Sequence, residues 1–514
     1  MANLLLINAD VMTMDPHCLA AREIAVKHGR ILAVGEEDAL RKLRTGRTEV
    51  IDLGGKTVLP GFIDAHLHLR ALAESLVTLN IGPTTGVRSI SDIKEKINCE
   101  AQNHPPGTWI RAGGYNEVYL AEKRHPDRKD LDDAAPHHPV KLTHRSGHAH
   151  VLNSLGLSLI QISLETPDPP EGIMERDLET GAPTGLFFGL GDFLSKRIPP
   201  LKERQLDCGV KLADQELLSC GVTSFQDASS RNDFNRLKQL ERWETSGFLK
   251  CRASMMLGLK GLEEHLAGRF SIHEAEKALC LDAVKIILDE TTGRLNPGQE
   301  KLNEIVLAVH EAGFQAVIHA IEEPAIESAL TALENALRRF PRPDHRHRIE
   351  HCSVCPPDLA GRIASLGVMV VTHPAFLYYS GERYLKTVPS SQLNHLYPLR
   401  TLLENGVKVA AGSDAPIVPV NPLAGVYAAV SRKAETGEFV MVKEKITVYK
   451  ALRMYTELAA ASAFEDLDKG IISPGKLADL VVLSANPATV PVEEIKDIQV
   501  EMTILDGKVV WTCS

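Results

Sequence analysis

The chain has 514 residues, of which 44% are hydrophobic and 24% are charged, as in ordinary globular proteins with a large core. Its formal net charge is −10 at pH 7. This charge argues against nucleic acid and anionic membranes as partners, because both require basic patches on the protein. The length predicts roughly two to four domains, or one large barrel with a smaller unit.

The beginning of the chain and the cysteines predict a cytoplasmic protein. The apolar run Leu4–Ile7 has no basic leader and is followed by Asn8 and Asp10, so we expect no signal peptide. The sequence has no apolar stretch long enough to cross a bilayer. Its nine cysteines are scattered and odd in number, which is typical of a reducing compartment.

Both ends of the chain have the texture of short strands and turns. In the first 53 residues, short apolar runs alternate with glycine-containing turns, and the last residues contain similar runs around Asp506-Gly507. A sheet this small cannot bury a core alone, so we expect the two ends to pair. The sequence therefore predicts a composite β-sandwich domain from residues 1–57 and 468–514.

The middle of the chain alternates strand-like and helix-like segments. The predicted strands are Val58–His68, Val222–Asp227, Cys251–Leu257, Ala283–Asp289, Gln315–Ala320, Arg348–Ser353, Val368–Thr372 and Val407–Ser413. Amphipathic stretches such as 300–312 and 325–340 predict helices between them. This alternation predicts an α/β fold, a (β/α)8 TIM barrel over residues 58–467. The long connection after the first strand predicts an insertion at about residues 80–200.

The first predicted strand ends in a histidine pair. His66 and His68 are separated by one residue, so their side chains point to the same face of a strand. The active sites of such barrels lie at the carboxyl ends of the strands. Later predicted strands carry further candidate ligands at or near their ends, and these are Lys285, His319, His351 and Asp414. Several imidazoles with a carboxylate suit Zn²⁺ or a similar divalent ion.

This predicted metal site suggests hydrolytic chemistry. A divalent ion lowers the pKa of bound water towards about 7, and Asp414 would move the proton of that water to the leaving group. A lysine inside a barrel is costly unless it has a partner. If CO₂ carboxylated Lys285, the side chain would become an anionic bridge between two ions. We expect one or two divalent ions, with zinc as the favoured element.

Two other H-x-H patterns carry weaker signals. Residues 345–347, His-Arg-His, lie among proline, aspartate and arginine, which predicts a solvated loop. His148 and His150 lie in the predicted insertion, where the pattern alone does not decide between a site and a loop. We interpret the cysteine pair Cys352 and Cys355 as ordinary packing, because no second pair accompanies it.

With these motifs assembled, the chain resembles the amidohydrolase superfamily of metal-dependent hydrolases over nearly its full length. The general resemblance rests on Gly54–His68 and on Gly475–Leu483. Within the superfamily, the chain is most similar to the branch that contains N-substituted formamide deformylases. The segments that carry this similarity are Ser146–Ser154, Gly221–Asp227, Val284–Ile286 and Gly412–Pro416.

The resemblance implies roles for individual residues. The implied metal shell consists of His66, His68, Lys285, His319, His351 and Asp414, with Asp414 as the proton shuttle. His148 would reach from the insertion towards the substrate, or else stabilise its own loop. His373 follows the seventh predicted strand and would contact substrate or cap the strand. Apart from the resemblance, Tyr378 and Arg383 follow the seventh predicted strand, where the loops of a barrel line the pocket. Arg383 would bind a substrate carboxylate or else be a surface arginine.

Two segments depart from the pattern of that branch. After Lys285 the chain reads Leu288–Thr292 where the branch has an Asp-Gly pair, and Ala-Ile-Glu follows His319 instead of Gly-Asp. The resulting H-x-x-E resembles the deaminase branch, in which the glutamate shuttles protons. Glu322 would then be a catalytic acid. The alternative is a solvated glutamate that the helix dipole favours in the first turn.

We therefore expect a metal-dependent hydrolase that cleaves a C–N bond in a small-molecule amide, formamide or N-acyl compound. The rival enzyme is a deaminase of a cyclic amidine or heterocycle that uses Glu322. A third hypothesis is a catalytically silent barrel that acts as an interaction protein, and the intact ligand set argues against it. A homodimer is expected only by analogy with other barrels.

Overall fold

The computed structural model describes residues 1–36, 38–169, 172–268, 283–290 and 293–513. The chain forms two compact units. The first contains both ends of the chain and most residues after Asp214, and the second contains Arg70–Ala213. Over the described ranges, we find no helix with the length and apolar character that crossing a membrane requires.

The first unit begins with eight strands. They are β1 (Leu4–Ile7), β2 (Asp10–Asp15), β3 (Cys18–Ala21), β4 (Glu23–Lys27), β5 (Arg30–Gly35), β6 (Glu49–Asp52), β7 (Thr57–Pro60) and β8 (Phe62–Leu67). The prediction of one strand over Val58–His68 is wrong, because the chain changes sheets at Gly61. The Gly61 N–H donates to the Asp479 carbonyl, whereas the next N–H donates to Gly221. A Cβ at Gly61 would lie 2.2 Å from Thr223 Oγ1, so this crossing requires glycine.

The second unit contains a sheet in the order β13-β14-β12-β11-β10-β9. Its strands are β9 (Leu79–Asn80), β10 (Ile110–Tyr115), β11 (Val140–His144), β12 (Ala149–Leu152), β13 (Ile173–Arg176) and β14 (Pro183–Phe188). The helices in this part of the chain are α1 (Leu69–Leu76), α2 (Ile90–Gln102), α3 (Arg128–Ala134), α4 (Ser154–Leu159), α5 (Gly191–Ser195) and α6 (Glu203–Ser219). A capping box starts α2, in which Ser89 and Asp92 exchange hydrogen bonds of 2.8 and 3.1 Å.

Parallel strands alternate with helices in the rest of the first unit. The strands are β15 (Val222–Asp227), β16 (Arg252–Met255), β17 (Ala283–Ile287), β18 (Gln315–Ala320), β19 (Arg348–His351), β20 (Met369–Thr372) and β21 (Val409–Ala411). The helices are α7 (Phe234–Thr245), α8 (Leu259–Leu266), α9 (Gln299–Glu311), α10 (Glu323–Arg339), α11 (Pro357–Ser365), α12 (Ala375–Thr387), α13 (Ser390–Leu393), α14 (Leu399–Glu404), α15 (Pro422–Ser431), α16 (Val448–Met454) and α17 (Glu457–Ala461). The predicted bounds of β15 and β18 are confirmed.

The parallel strands form two sheets. One has the order β16-β15-β8 and the other has the order β17-β18-β19-β20-β21. Main-chain hydrogen bonds connect the two sheets next to both pairs of edge strands. The Lys285 N–H donates to the Leu257 carbonyl at 2.7 Å, and the Asp414 N–H donates to the His66 carbonyl at 2.7 Å. Because the strands are parallel, their carboxyl ends gather at one edge of each sheet.

Strands from both ends of the chain share a sheet. After α17 the chain forms β22 (Leu480–Leu483), β23 (Val500–Leu505) and β24 (Lys508–Thr512). These three strands pair with strands from the beginning of the chain in a sheet with the order β24-β23-β22-β7-β2-β3. A second sheet has the order β5-β4-β1-β6. Side chains of both sheets, including Leu6, Ile24, Val58, Leu480 and Ile504, bury one apolar core. The domain boundaries at residues 57 and 468, and the limits of the insertion, stay predictions.

Residues 345–347 are not the solvated loop that we predicted. His345 and His347 are 4% and 0% exposed. His347 Nδ1 accepts from the Ala316 N–H at 2.9 Å, and its Nε2 lies 2.9 Å from His310 Nδ1. These partners are distant in the sequence, so the local composition could not reveal them. Burial lowers the pKa of His345 and of His347.

This buried histidine group makes stability depend on pH. The unfolded chain protonates His345 and His347 near their usual pKa of 6.5, whereas the folded chain protonates them only at lower pH. The two groups therefore leave stability intact above pH 6.5 and reduce it as the pH falls below that value. We expect His347 to remove up to about 1 kcal/mol of unfolding free energy per pH unit below pH 6.5, and His345 to act in the same direction, measured by urea unfolding at pH 7.5, 6.5 and 5.5. The His347→Gln variant should show a shallower slope, and an unchanged slope would contradict this origin.

Candidate metal centre

Seven polar side chains are at or near the carboxyl ends of the parallel strands. In chain order they are His66, His68, Lys285, His319, His351, His373 and Asp414. His66 is the second-to-last residue of β8, His351 ends β19, and His373 directly follows β20. Each residue therefore takes its position from a buried strand, and the main-chain pairing of the strands holds the set together.

The structure brings five of these side chains into two overlapping groups. In one, the nearest side-chain atoms of His66, His68 and Asp414 lie within 4.8 Å of one another. In the other, those of His66, His351 and His373 do the same. Asp414 Oδ1 lies 3.0 Å from His68 Nε2 and 3.6 Å from His66 Nε2. Either group offers three donors that could hold a metal ion.

The two remaining predicted ligands lie beside these groups. The ring of His319 is 4.3 Å from the ring of His351, measured between centroids. Lys285 is buried, and its Nζ has no hydrogen-bond partner among the described residues. Burial lowers the pKa of Lys285 to about 8, although Glu350 and Asp414 act in the opposite direction.

The electrostatics of the cluster keep its donors in the forms that bind cations. Burial lowers the pKa of His66, His351 and His373, so these imidazoles are neutral at pH 7. Burial alone would raise the pKa of Asp414, but the hydrogen bond with His68 and the electrostatic interaction with the neighbouring histidines outweigh it, and the net shift is downward. Neutral imidazole and ionised carboxylate are the forms that coordinate a metal.

Buried polar atoms without hydrogen-bond partners indicate whether a divalent ion fits this cluster. Within the described chain, Lys285 Nζ and His373 Nε2 are buried and lack hydrogen-bond partners. Leaving such an atom unsatisfied costs about 1–3 kcal/mol. Nitrogen and carboxylate donors in a buried cluster are the ligands that zinc prefers. The donors present therefore fit a divalent ion.

Two of the cluster residues have left-handed backbone conformations. The φ angles are 69° at His351 and 58° at Asp414. Such conformations cost about 1–3 kcal/mol and occur most often at functional sites, where the surrounding structure enforces them. His351 is the last residue of β19, and Asp414 lies three residues after the end of β21, so both residues occur where a parallel strand ends.

Sequence reasoning missed a buried ion pair behind His66. Glu350 accepts hydrogen bonds from Arg348 Nε at 2.7 Å and from Nη2 at 3.2 Å. Its other contact is a short hydrogen bond between Oε2 and His66 Nδ1. Arg348 and Glu350 are 1% and 0% exposed. A signal existed, because two charged residues occupy alternate positions of a strand that reads Arg-Ile-Glu-His.

Asp64 and Gly412 fix the relation between β8 and the end of β21. Asp64 Oδ1 accepts from the main-chain N–H groups of His66 and Ser413, at 3.1 and 2.9 Å. Burial raises the pKa of Asp64 to about 6. A Cβ at Gly412 would lie 2.5 Å from the His66 nitrogen, so only glycine allows this close approach.

The other predicted site residues lie outside the two groups. Glu322 is exposed and accepts a hydrogen bond from Gln392 at 3.1 Å. Tyr378 and Arg383 belong to α12, where Tyr378 is half-buried and Arg383 is exposed. His148 is exposed in the second unit. Their functional roles stay predictions, and residues 291–292 of the departing segment lie outside the described residues.

The Arg348→Met variant tests the buried ion pair. It leaves Glu350 charged and without its cation in the core, so we expect a loss of about 3–5 kcal/mol in the free energy of unfolding. The control is Arg362→Met, which breaks a half-exposed pair with Glu334 and should cost about 1 kcal/mol or less. Urea unfolding of the full chain measures both. Equal losses of unfolding free energy in the two variants would contradict the conclusion that Arg348 compensates the buried charge of Glu350.

Comparison with known proteins places this geometry in context. The model of the amidohydrolase family matches residues 49–511. The chain is 30% identical to the N-substituted formamide deformylase of Arthrobacter pascens, over 99% of this chain and 98% of that protein. An uncharacterized metal-dependent hydrolase from Pyrococcus horikoshii has a similar fold, with a TM-score of 0.77 at 24% identity, covering 95% and 99% of the two chains. A second uncharacterized metal-dependent hydrolase, from Pyrococcus furiosus, has a TM-score of 0.73 at 25% identity, covering 95% of this chain and 100% of that chain.

Proposed function

Because the chain belongs to the amidohydrolase family, as its motifs predicted, we propose that it is a metal-dependent hydrolase of C–N bonds other than peptide bonds. The named activity of the Arthrobacter relative supports an amide, formamide or N-acyl substrate. The observation that carries the proposal is the convergence of His66, His68, His351, His373 and Asp414 in one buried cluster. Such a cluster has no evident role in a silent interaction protein.

We propose that β8 and β15–β21 close into a (β/α)8 barrel. The hydrogen bonds from Lys285 to Leu257 and from Asp414 to His66 support closure, because they join the two sheets at both ends. The alternation of parallel strands with helices also supports it. In a closed barrel, the seven polar side chains would meet at one rim.

The proposed cofactor is one or two divalent ions, with zinc favoured. The proposed ligands are His66, His68, Lys285, His319, His351 and Asp414. When bound, the ion would lower the pKa of water towards about 7 and polarise the substrate carbonyl. Lys285 would join as a ligand after carboxylation. This reaction requires a neutral amine, and the lowered pKa of about 8 increases the neutral fraction at pH 7.

The residues of the cluster would then divide the work of hydrolysis. Asp414 is ionised, so it can accept a proton from the attacking water and deliver it to the leaving nitrogen. His68 hydrogen bonds to Asp414 at 3.0 Å and would fix the position of this carboxylate. Water adds to the carbonyl carbon, the C–N bond breaks, and the products are an acid and an amine.

Small-molecule specificity would come from residues outside the two histidine groups. We propose His148, Tyr378 and Arg383 as substrate contacts, since loops and insertions usually define the pockets of barrel enzymes. Arg383 is exposed and its guanidinium lies over the Tyr384 ring, so its N–H groups would be available to a substrate carboxylate. The proposed setting is the cytoplasm, with no nucleic-acid or membrane partner and with pairing into a homodimer.

The deaminase hypothesis gains no support from the position of Glu322. Its carboxylate is exposed and hydrogen bonds to Gln392, as expected for a solvated residue that precedes a helix. Glu322→Gln nevertheless separates the two enzymes. The substitution would abolish a deaminase and would change an amide hydrolase only modestly.

Activity and metal content test the proposed function together. Purified full-length protein should contain at least one tightly held divalent ion. It should release amine from a formamide or N-acyl amino acid, lose this activity with a chelator, and regain it with Zn²⁺ or Mn²⁺. Asp414→Asn should lower kcat by about 10²–10⁴-fold, whereas Glu322→Gln should retain most activity.

Ammonia release from cyclic amidines that disappears in Glu322→Gln would replace this function with the deaminase. Protein that binds no divalent ion, with no activity restored by Zn²⁺ or Mn²⁺, would favour the silent barrel.

A further inference from the structure

We propose that His373 is itself a ligand of the divalent ion, rather than a substrate contact or a strand cap. This inference rests on the proposed function, because it requires that an ion is bound. His373 is 0% exposed and directly follows β20. It would add a ligand next to β20, one of the parallel strands that supply none in the set predicted from the sequence.

The position of the ring is the first argument. Its centroid lies 4.9 Å from that of His66 and 4.6 Å from that of His351. The ligand nitrogens of these three rings lie within 4.8 Å of one another. Three imidazoles that approach so closely in a buried site resemble the histidine sets that hold catalytic zinc.

The hydrogen bonding of the ring is the second argument. His373 Nδ1 lies 3.0 Å from the Gly412 carbonyl oxygen. A carbonyl only accepts, so the proton must reside on Nδ1, and Nε2 carries a free lone pair. Metal-binding histidines almost always hydrogen bond through the second ring nitrogen to a carboxylate or a main-chain carbonyl. His66 has the same arrangement, since its Nδ1 contacts Glu350.

The unsatisfied nitrogen is the third argument. His373 Nε2 is buried and has no hydrogen-bond partner within the described residues. A strand cap would use only Nδ1 and would leave this orphan unexplained. A substrate contact would have to reach a nitrogen that lies among other histidine rings. His66 also presents an acceptor at Nε2, because its Nδ1 donates to Glu350, so a cation shared by His66 and His373 satisfies both nitrogens.

The His373→Asn variant isolates the proposed ligand atom. The asparagine amide can still donate to the Gly412 carbonyl, but nothing replaces Nε2. The control is His347→Asn, because His347 is equally buried and its ring hydrogen bonds to His310 and to the Ala316 main chain, neither of which is a proposed ligand. Full-length protein is stripped of metal, and its Zn²⁺ affinity is measured by competition with a chromophoric chelator. The unfolding of the metal-free variants is compared in parallel.

We expect His373→Asn to weaken Zn²⁺ binding by about 10- to 100-fold or more. Removing only the hydrogen-bond partner of a metal ligand typically weakens binding by 10- to 100-fold, and this variant removes a ligand. His347→Asn should bind as the wild type does. Unchanged affinity in His373→Asn, with a raised KM, would assign the residue to substrate and overturn the inference while leaving the proposed function intact. If the wild type binds no divalent ion, the proposed function itself fails.

A second readout covers a variant that folds poorly. Co²⁺ replaces Zn²⁺ in the wild type and in His373→Gln, whose side chain fills more of the imidazole volume. Loss of an imidazole ligand should change the visible absorption of bound Co²⁺. An unchanged spectrum in a folded His373→Gln protein would also overturn the inference.

Discussion

The desolvation of Glu350 is the constraint on which the rest of the site depends. This carboxylate is fully buried, and it is tolerated because Arg348 on the same strand neutralises it. The same carboxylate holds His66 Nδ1 and thereby directs Nε2 towards Asp414. A buried charge therefore orients the imidazole that belongs to both three-residue groups. Without the arginine, the energetic reason for this geometry would disappear.

A parallel sheet explains how residues so distant in sequence come together. His66 and Glu350 are 284 residues apart, yet each is placed by the strand that carries it. The pairing of β18 with β19 sets His319 beside Glu350 in register, and Ala320 beside His351. The main chain thus fixes the spacing before any side chain contributes, and the neutral imidazoles add little mutual repulsion.

The sequence was informative where local pattern determines structure, and it failed where distant partners do. The bounds of β15 and β18 were predicted from the local alternation of strand-like and helix-like segments. Residues 58–68 were predicted as one strand, because the pattern of apolar residues does not reveal that the chain changes sheets at Gly61. The partners that bury His345 and satisfy Glu350 are remote in sequence. The candidate ligands were predictable because they follow apolar strands, whereas the orphaned nitrogen of His373 required coordinates.

Anomalous diffraction from crystals of the zinc-loaded full-length protein tests the central claim most directly. The account predicts a zinc peak at roughly 2.0–2.2 Å from His66 Nε2 and from an Asp414 carboxylate oxygen. A crystal without zinc in this cluster, or with zinc only at exposed histidines, would contradict it.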